Sequence, residues 1–168
     1  KLDSISPFLG KDFVKNIFLV VFLALASVAI ILFIRYRKIK VIIPILITSL
    51  SEVFIILGVA ALIRWNLDIV AIAGIIAAVG TGVDDQIVIT DEVLRGEARA
   101  YNWKERIKRA MFIIFAAYVT TLAAMLPLWN AGAGLIRGFA VTTIIGITVG
   151  VFITRPAFAN MIERFLGE

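Results

Sequence analysis

Five long apolar segments, at about 13–34, 41–63, 69–92, 108–129 and 137–160, constrain this chain more than any other feature of its sequence. At 1.5 Å of rise per residue, each is long enough as a helix to cross a hydrocarbon core of about 30 Å. Lipid offers no partner for a bare N–H or C=O, so separate spans of this length are helices. The separators are short: Arg35-Tyr36-Arg37-Lys38-Ile39-Lys40, then Arg64-Trp65-Asn66-Leu67-Asp68, the polar stretch Arg95 to Lys108, and Asn130-Ala131-Gly132-Ala133-Gly134. Such connections make neighbouring spans antiparallel. The expected fold is an all-α integral membrane protein, a bundle of five transmembrane helices.

Charge sets the orientation of the bundle. One side collects Arg35, Arg37, Lys38, Lys40, Arg95, Arg99, Lys104, Arg106, Lys108, Arg109, Arg155 and Arg164, whereas the other holds Lys1, Lys11, Lys15, Arg64 and Arg137. The richer side is cytoplasmic by the positive-inside rule, which puts the N-terminus outside and the C-terminal tail, 161–168, inside. Trp65 and Trp129 then mark the outer interface, Tyr36, Tyr101 and Trp103 the inner one, and the segment 95–108 lies along the inner surface. The net charge of +5 is thus spent on topology, not on nucleic acid. The chain has no Cys and no His, which argues against disulfides and a zinc site and leaves carboxylates, hydroxyls and water for any proton relay. Residues 1–12 contain Pro7, do not resemble a signal peptide, and read as the end of an extracytoplasmic connection within a longer protein.

Within the third segment, Gly80-Thr81-Gly82-Val83-Asp84-Asp85-Gln86 places two carboxylates at membrane depth. A charge there costs roughly 2.5–3.5 kcal/mol on insertion scales, so such residues face a bundle interior or a wet cavity and commonly serve ion or proton movement. Successive helical residues diverge by about 100°, so Asp84 and Asp85 do not share one contact. Proton carriage is the functional reading; a hydrogen-bonded pair holding helices together through Thr81 or Thr142 is the structural one. Glu52, midway along the second segment beside Thr48, Ser49 and Ser51, either extends a polar path or is a neutral Glu bonded to its neighbours. Asp91 and Glu92 fall at a helix end and read as solvated, and Lys11, Asp12 and Lys15 as an interfacial boundary. Pro44 suits a first helical turn, and Pro127 and Pro156 lie near helix ends.

Small residues precede the acidic pair, among them Gly74, Gly80 and Gly82, and the fifth segment answers with Gly138, Thr142, Gly146 and Gly150 at every fourth position. Small residues let helices in lipid approach closely, so these six glycines are expected to pack the third span against the fifth.

Ile5-Ser6-Pro7-Phe8-Leu9-Gly10, Ile72-Ala73-Gly74-Ile75 through Val83-Asp84, Thr120-Thr121-Leu122 and Gly132-Ala133-Gly134-Leu135-Ile136-Arg137-Gly138-Phe139-Ala140-Val141-Thr142 together resemble the SecD family of the SecDF protein-export complex, among the resistance-nodulation-division transporters. The resemblance covers nearly the whole chain. It implies the second to sixth transmembrane helices, with a first helix and a large extracytoplasmic domain lying outside this sequence. It further implies no enzyme activity but protein translocation driven by a proton gradient, with sodium as the other ion open. The implied partners are SecF, the SecY translocation channel and an unfolded secretory polypeptide, within the cell membrane. Asp84, in the position of the family's Val-Asp-Ala-Asn motif, is implied to be the proton-responsive carboxylate, with an Arg supplied by SecF. The chain departs from that pattern at Asp85-Gln86, at Glu52 and at Ala116-Ala117-Tyr118, in an archaeal style. Two other readings stay open: a small-molecule or lipid exporter of the same superfamily, and a passive scaffold on the translocation channel.

Overall fold

The computed structural model describes residues 7–95, 103–131 and 135–166. Its elements are α1 (Pro7–Tyr36), α2 (Ile39–Leu62), α3 (Ile69–Arg95), α4 (Trp103–Ala131), α5 (Leu135–Val149), a π-helical turn (Gly150–Thr154) and α6 (Arg155–Leu166). Among the described residues, five spans are long and apolar enough to cross a membrane, the last running from Ile136 to Phe165 through α5, the π turn and α6. The fold is the expected all-helical bundle. The polar stretch expected on the membrane surface differs in part: its residues 103–108 continue α4, and 96–102 lie outside the described residues. So do 1–6, 132–134 and 167–168; Ile5 and Ser6 of the opening motif, Tyr101, Gly132 and Gly134 therefore lie outside them, whereas Pro7 to Gly10 of that motif begin α1.

Local chemistry ends these helices where the loops are short. α2 closes with Trp65 N–H donating to Ala60 O at 2.9 Å and Arg64 N–H to Ala61 O at 3.1 Å, the paired bonds of a Schellman cap. The cap needs a left-handed residue, and Arg64 supplies it at φ 55° instead of the usual glycine. Asp68 starts α3 as its N-cap, accepting from Ala71 N–H at 2.6 Å. Arg37, at φ 52°, makes the turn between α1 and α2 in the same left-handed way.

α3 and α5 form the central and most extensive contact, with α2, α4 and α6 around them. Thr142 Oγ1 reaches Ala71 O at 2.8 Å, and Thr143 Oγ1 reaches Gly74 O at 3.4 Å, cross-links that small interfacial residues permit. α1 is mostly uncovered, with Phe18, Phe22 and Ile34 all exposed. Two apolar clusters fill the interior. One gathers Ile56, Ile75 and Ala78; the other gathers Leu32, Val41, Ile45, Ile89, Ile114, Phe158 and Ile162. Glu52 lies between them along α2 and is itself buried, so a polar layer divides an otherwise apolar core.

The fifth span departs from a single α-helix. Arg155 N–H donates to Gly150 O, five residues back, which closes the π turn. Pro156 explains its position in part, because a proline has no N–H for the carbonyl four residues earlier and its ring crowds that carbonyl. The wider turn accommodates both. It also adds a residue, turning Thr154 and Arg155 into the core while Phe152 and Ile153 stay on the outside.

Candidate functional site

Arg155 is the centre of the polar layer. Its side chain is 1% exposed and bonds two carboxylates from different helices: Nη1 pairs with Glu52 Oε2 of α2, and Nε donates to Asp85 Oδ2 of α3 at 3.1 Å. Thr154 Oγ1 accepts from Arg155 Nη1 at 2.6 Å and lies 3.1 Å from Glu52 Oε2 as donor. Burying a guanidinium is tolerable only with such partners, since an isolated charge in a low dielectric is very costly. Three helices are thereby tied at one point.

Two glycines make the space. A Cβ on Gly82 would stand 2.7 Å from Arg155 Nη2 and 3.0 Å from Glu52 Oε2, and one on Gly150 would stand 2.7 Å from Arg155 Cζ. Both therefore seat the guanidinium, in place of the helix contact expected of them. Gly74 and Gly146 lie where α3 and α5 approach each other: a Cβ on Gly74 would stand 2.7 Å from Phe139 O, and Gly146 faces Ala78. Gly138 leaves room for the Asp68 carboxylate, 3.1 Å from where its Cβ would be. Gly80 belongs to none of these contacts. It is exposed, with nothing among the described residues within 4 Å of a Cβ, because a residue two positions from Gly82 points to another side of the helix.

Asp84 and Asp85 part company as successive helical residues must. Asp85 is 20% exposed and bonded to Arg155. Asp84 is exposed, and among the described residues it accepts no hydrogen bond and joins no ion pair. Both line an open cleft of about 170 Å³ with Thr81, Ala117, Tyr118, Thr121, Ile147 and Val151. The cleft meets the Arg155 layer through Asp85. Thr81 and Thr142 do not bond the aspartates; their hydroxyls reach backbone carbonyls, Ala78 O at 2.8 Å and Ala71 O at 2.8 Å. Glu52 likewise ignores the hydroxyls beside it in sequence. Thr48 bonds Pro44 O, Ser51 bonds Ile47 O, and Ser49 Oγ donates to Gln86 Oε1 at 3.4 Å. Pro44 itself lies one turn deeper in α2 than the first-turn position expected for it.

Asp91 is a further correction, being held and not merely solvated. It accepts from Arg35 Nη2 at 2.5 Å and from Tyr36 OH at 2.7 Å, which pins the end of α1 to α3. Glu92 lies 3.8 Å from Arg109 Nη1. Lys15 is exposed, and the side chains of Lys11 and Asp12 lie outside the described residues.

Arg155 is the residue that sequence reasoning missed, having been counted with the boundary cations and its counterpart sought in SecF. Thr154 and Gln86 were missed with it. The available signal was the Arg-Pro pair inside an apolar run, together with the need of buried carboxylates for a cation. Charge counting shows what the layer can do. With both carboxylates ionised it carries one negative charge in excess, and one bound proton makes it neutral.

Residues 1–164 match the family described as protein export membrane protein SecD/SecF, C-terminal. The chain is similar to the protein-export membrane protein SecD of Methanocaldococcus jannaschii (58% identical over 97% of this chain), of Methanothermobacter thermautotrophicus (53% over 98%) and of Thermococcus gammatolerans (52% over 98%). It spans 41%, 42% and 32% of the lengths of those relatives.

Proposed function

This chain belongs to the SecD/SecF protein-export membrane family, and from that we propose that it is the membrane portion of an export accessory subunit in which proton passage through the Glu52–Arg155–Asp85 layer drives late steps of protein translocation. The observation that carries this reading is a single buried Arg155 shared between two carboxylates, one of which opens on a cleft. A cleft of about 170 Å³ lined by Asp84 and Asp85 is large enough to admit water, which is the route proposed for the proton to reach them.

Protonating Asp85 removes its hold on Arg155 and leaves the guanidinium to Glu52. A charge at this depth is worth on the order of 3 kcal/mol, which shifts a two-state equilibrium about a hundredfold if only one arrangement must solvate it. The membrane potential adds about 2.3 kcal/mol per charge per 100 mV. The α3–α5 contact, with its small residues and threonine cross-links, passes the rearrangement along the bundle. No bond is made or broken, and the substrate is an unfolded polypeptide.

Asp84 supports the partner assignment. An exposed carboxylate at mid-span calls for a donor from outside the chain, and SecF is the proposed source, with the SecY channel as the wider assembly. The N-terminal end of α1 is placed outside the cell membrane and the end of α6 in the cytoplasm, on the distribution of Lys and Arg. The test is pulse-chase export in cells whose only full-length copy carries Asp84→Asn, Asp85→Asn, Glu52→Gln or Arg155→Lys at matched protein levels. Loss of export with Asp85→Asn and Arg155→Lys is expected. Export unchanged in all four would leave the chain a passive scaffold, and loss on replacing sodium at constant proton gradient would make sodium the coupling ion.

A further inference from the structure

Among the described residues, two buried polar atoms of the layer have no hydrogen-bond partner: Glu52 Oε1 and Gln86 Nε2. One is an acceptor and the other a donor. Buried polar groups are satisfied in the great majority of cases, so an orphaned complementary pair calls for an explanation. The pair shares one helix interface. Gln86 of α3 faces α2, where Ser49 Oγ reaches its Oε1 at 3.4 Å, and Glu52 lies one turn along α2 from Ser49, on the same face. Gln86 is fully buried, and Thr90 Oγ1 bonds its backbone carbonyl at 2.7 Å.

We propose that Gln86 is a positioning residue that offers Glu52 a second hydrogen-bonded position, so that the carboxyl group moves between Arg155 and Gln86 across the α2–α3 interface. The inference rests on the proton-coupled reading above and names the element that makes it two-state. In the arrangement described, Glu52 is held on one oxygen by Arg155 and Thr154, and its other oxygen is left over. In the second arrangement, Glu52 leaves Arg155 to Asp85 and takes Gln86. An amide suits this task because it both donates and accepts: Nε2–H bonds a carboxylate, and Oε1 accepts from a protonated carboxyl. Gln86 can therefore hold Glu52 before and after proton transfer, which no purely donating side chain could. The charged groups facing Glu52 are Arg155 from α6 and Asp85 from α3, with Asp84 beside the latter. Among the described side chains, α1 and α5 bring only Lys15, Arg35 and Arg137, all near helix ends.

The test is infrared difference spectroscopy across a pH titration of the full-length protein with its partner subunit in liposomes, with the Glu52 carboxyl band assigned by its loss in Glu52→Gln. Gln86→Met, of similar volume, removes the position away from the Arg155 charge and leaves Glu52 against the guanidinium, so the midpoint of that band is expected to fall by about one pH unit, a tenfold change in proton affinity. It is also expected to shift the band's frequency, since a hydrogen-bond partner is lost. Gln86→Asn, which keeps the amide, should restore the frequency in part, and it guards against reading a folding defect as a lost partner. A Glu52 band that titrates with unchanged midpoint and frequency in Gln86→Met would overturn the role of Gln86 and leave the proton-coupled reading standing. A Glu52 that never changes protonation would overturn the second position proposed for it, and an Asp85 band, assigned by its loss in Asp85→Asn, that is equally unchanged would overturn the proton-coupled reading as well.

Discussion

Gly80→Ala and Gly82→Ala are the same chemical change two residues apart in one helix, and the structure assigns them opposite signs. In a helix interior, alanine is favoured over glycine by about 0.8–1 kcal/mol. At Gly80 nothing among the described residues lies within 4 Å of the new methyl, so that gain is expected whole. At Gly82 the methyl would stand 2.7 Å from Arg155 Nη2 and within 3.1 Å of both Glu52 oxygens. A flexible side-chain end could ordinarily move aside. This guanidinium cannot, because Gly150 closes on its Cζ from the π turn while Glu52 and Asp85 hold its nitrogens. Displacing it breaks a buried pair, at about 3–5 kcal/mol, and subtracting the helix gain leaves a net loss of roughly 2–4 kcal/mol for Gly82→Ala. Reversible unfolding of the purified full-length protein in mixed micelles, followed by circular dichroism, measures both. Similar shifts for the two variants, or a Gly82→Ala as stable as the wild type, would refute the seating of Arg155 described here.

Arg155→Met alone is expected to destabilise by about 3–5 kcal/mol, because it leaves carboxylates buried without their cation, whereas the triple variant Glu52→Gln, Asp85→Asn, Arg155→Met recovers most of that stability and still fails to export. The same unfolding assay, paired with pulse-chase export, separates the structural contribution of the layer from its function. Arg64→Gly is expected to stabilise by about 1 kcal/mol, since φ 55° costs a side chain roughly 1–2 kcal/mol and glycine nothing, although glycine gives back part of this in the unfolded chain. A fall in stability would show that the Arg64 side chain contributes more than the backbone loses. Asp91→Asn is expected to change global stability by less than about 1 kcal/mol, as a partly exposed pair does. It should nevertheless raise the rate of labelling at a cysteine placed at the buried Leu32, one turn before the clamp in α1, and an unchanged rate would deny that clamp.

What this sequence determines by itself is whatever depends on a residue and its near neighbours. Spans follow from runs of apolar residues, because lipid imposes helix on any stretch long enough to cross it. The anomaly of Asp84, Asp85 and Glu52 follows from depth alone. The stripe of small residues at every fourth position follows likewise, since such a spacing stays on one face of a regular helix.

The rest turns on how helices are rotated against one another, which no local pattern encodes. Arg155 meets Asp85 across 70 residues of chain and Glu52 across 103, and it does so from a helix put out of α register by the π turn before it. One inserted residue rotates everything beyond it by about 100°, so the arginine that would be counted with the boundary cations becomes the buried centre of the layer. The same rotational logic separates Gly80 from Gly82 and Asp84 from Asp85, pairs that composition cannot tell apart. Tertiary packing decides which member of each pair meets a partner, because in a helix two residues side by side in sequence look in different directions.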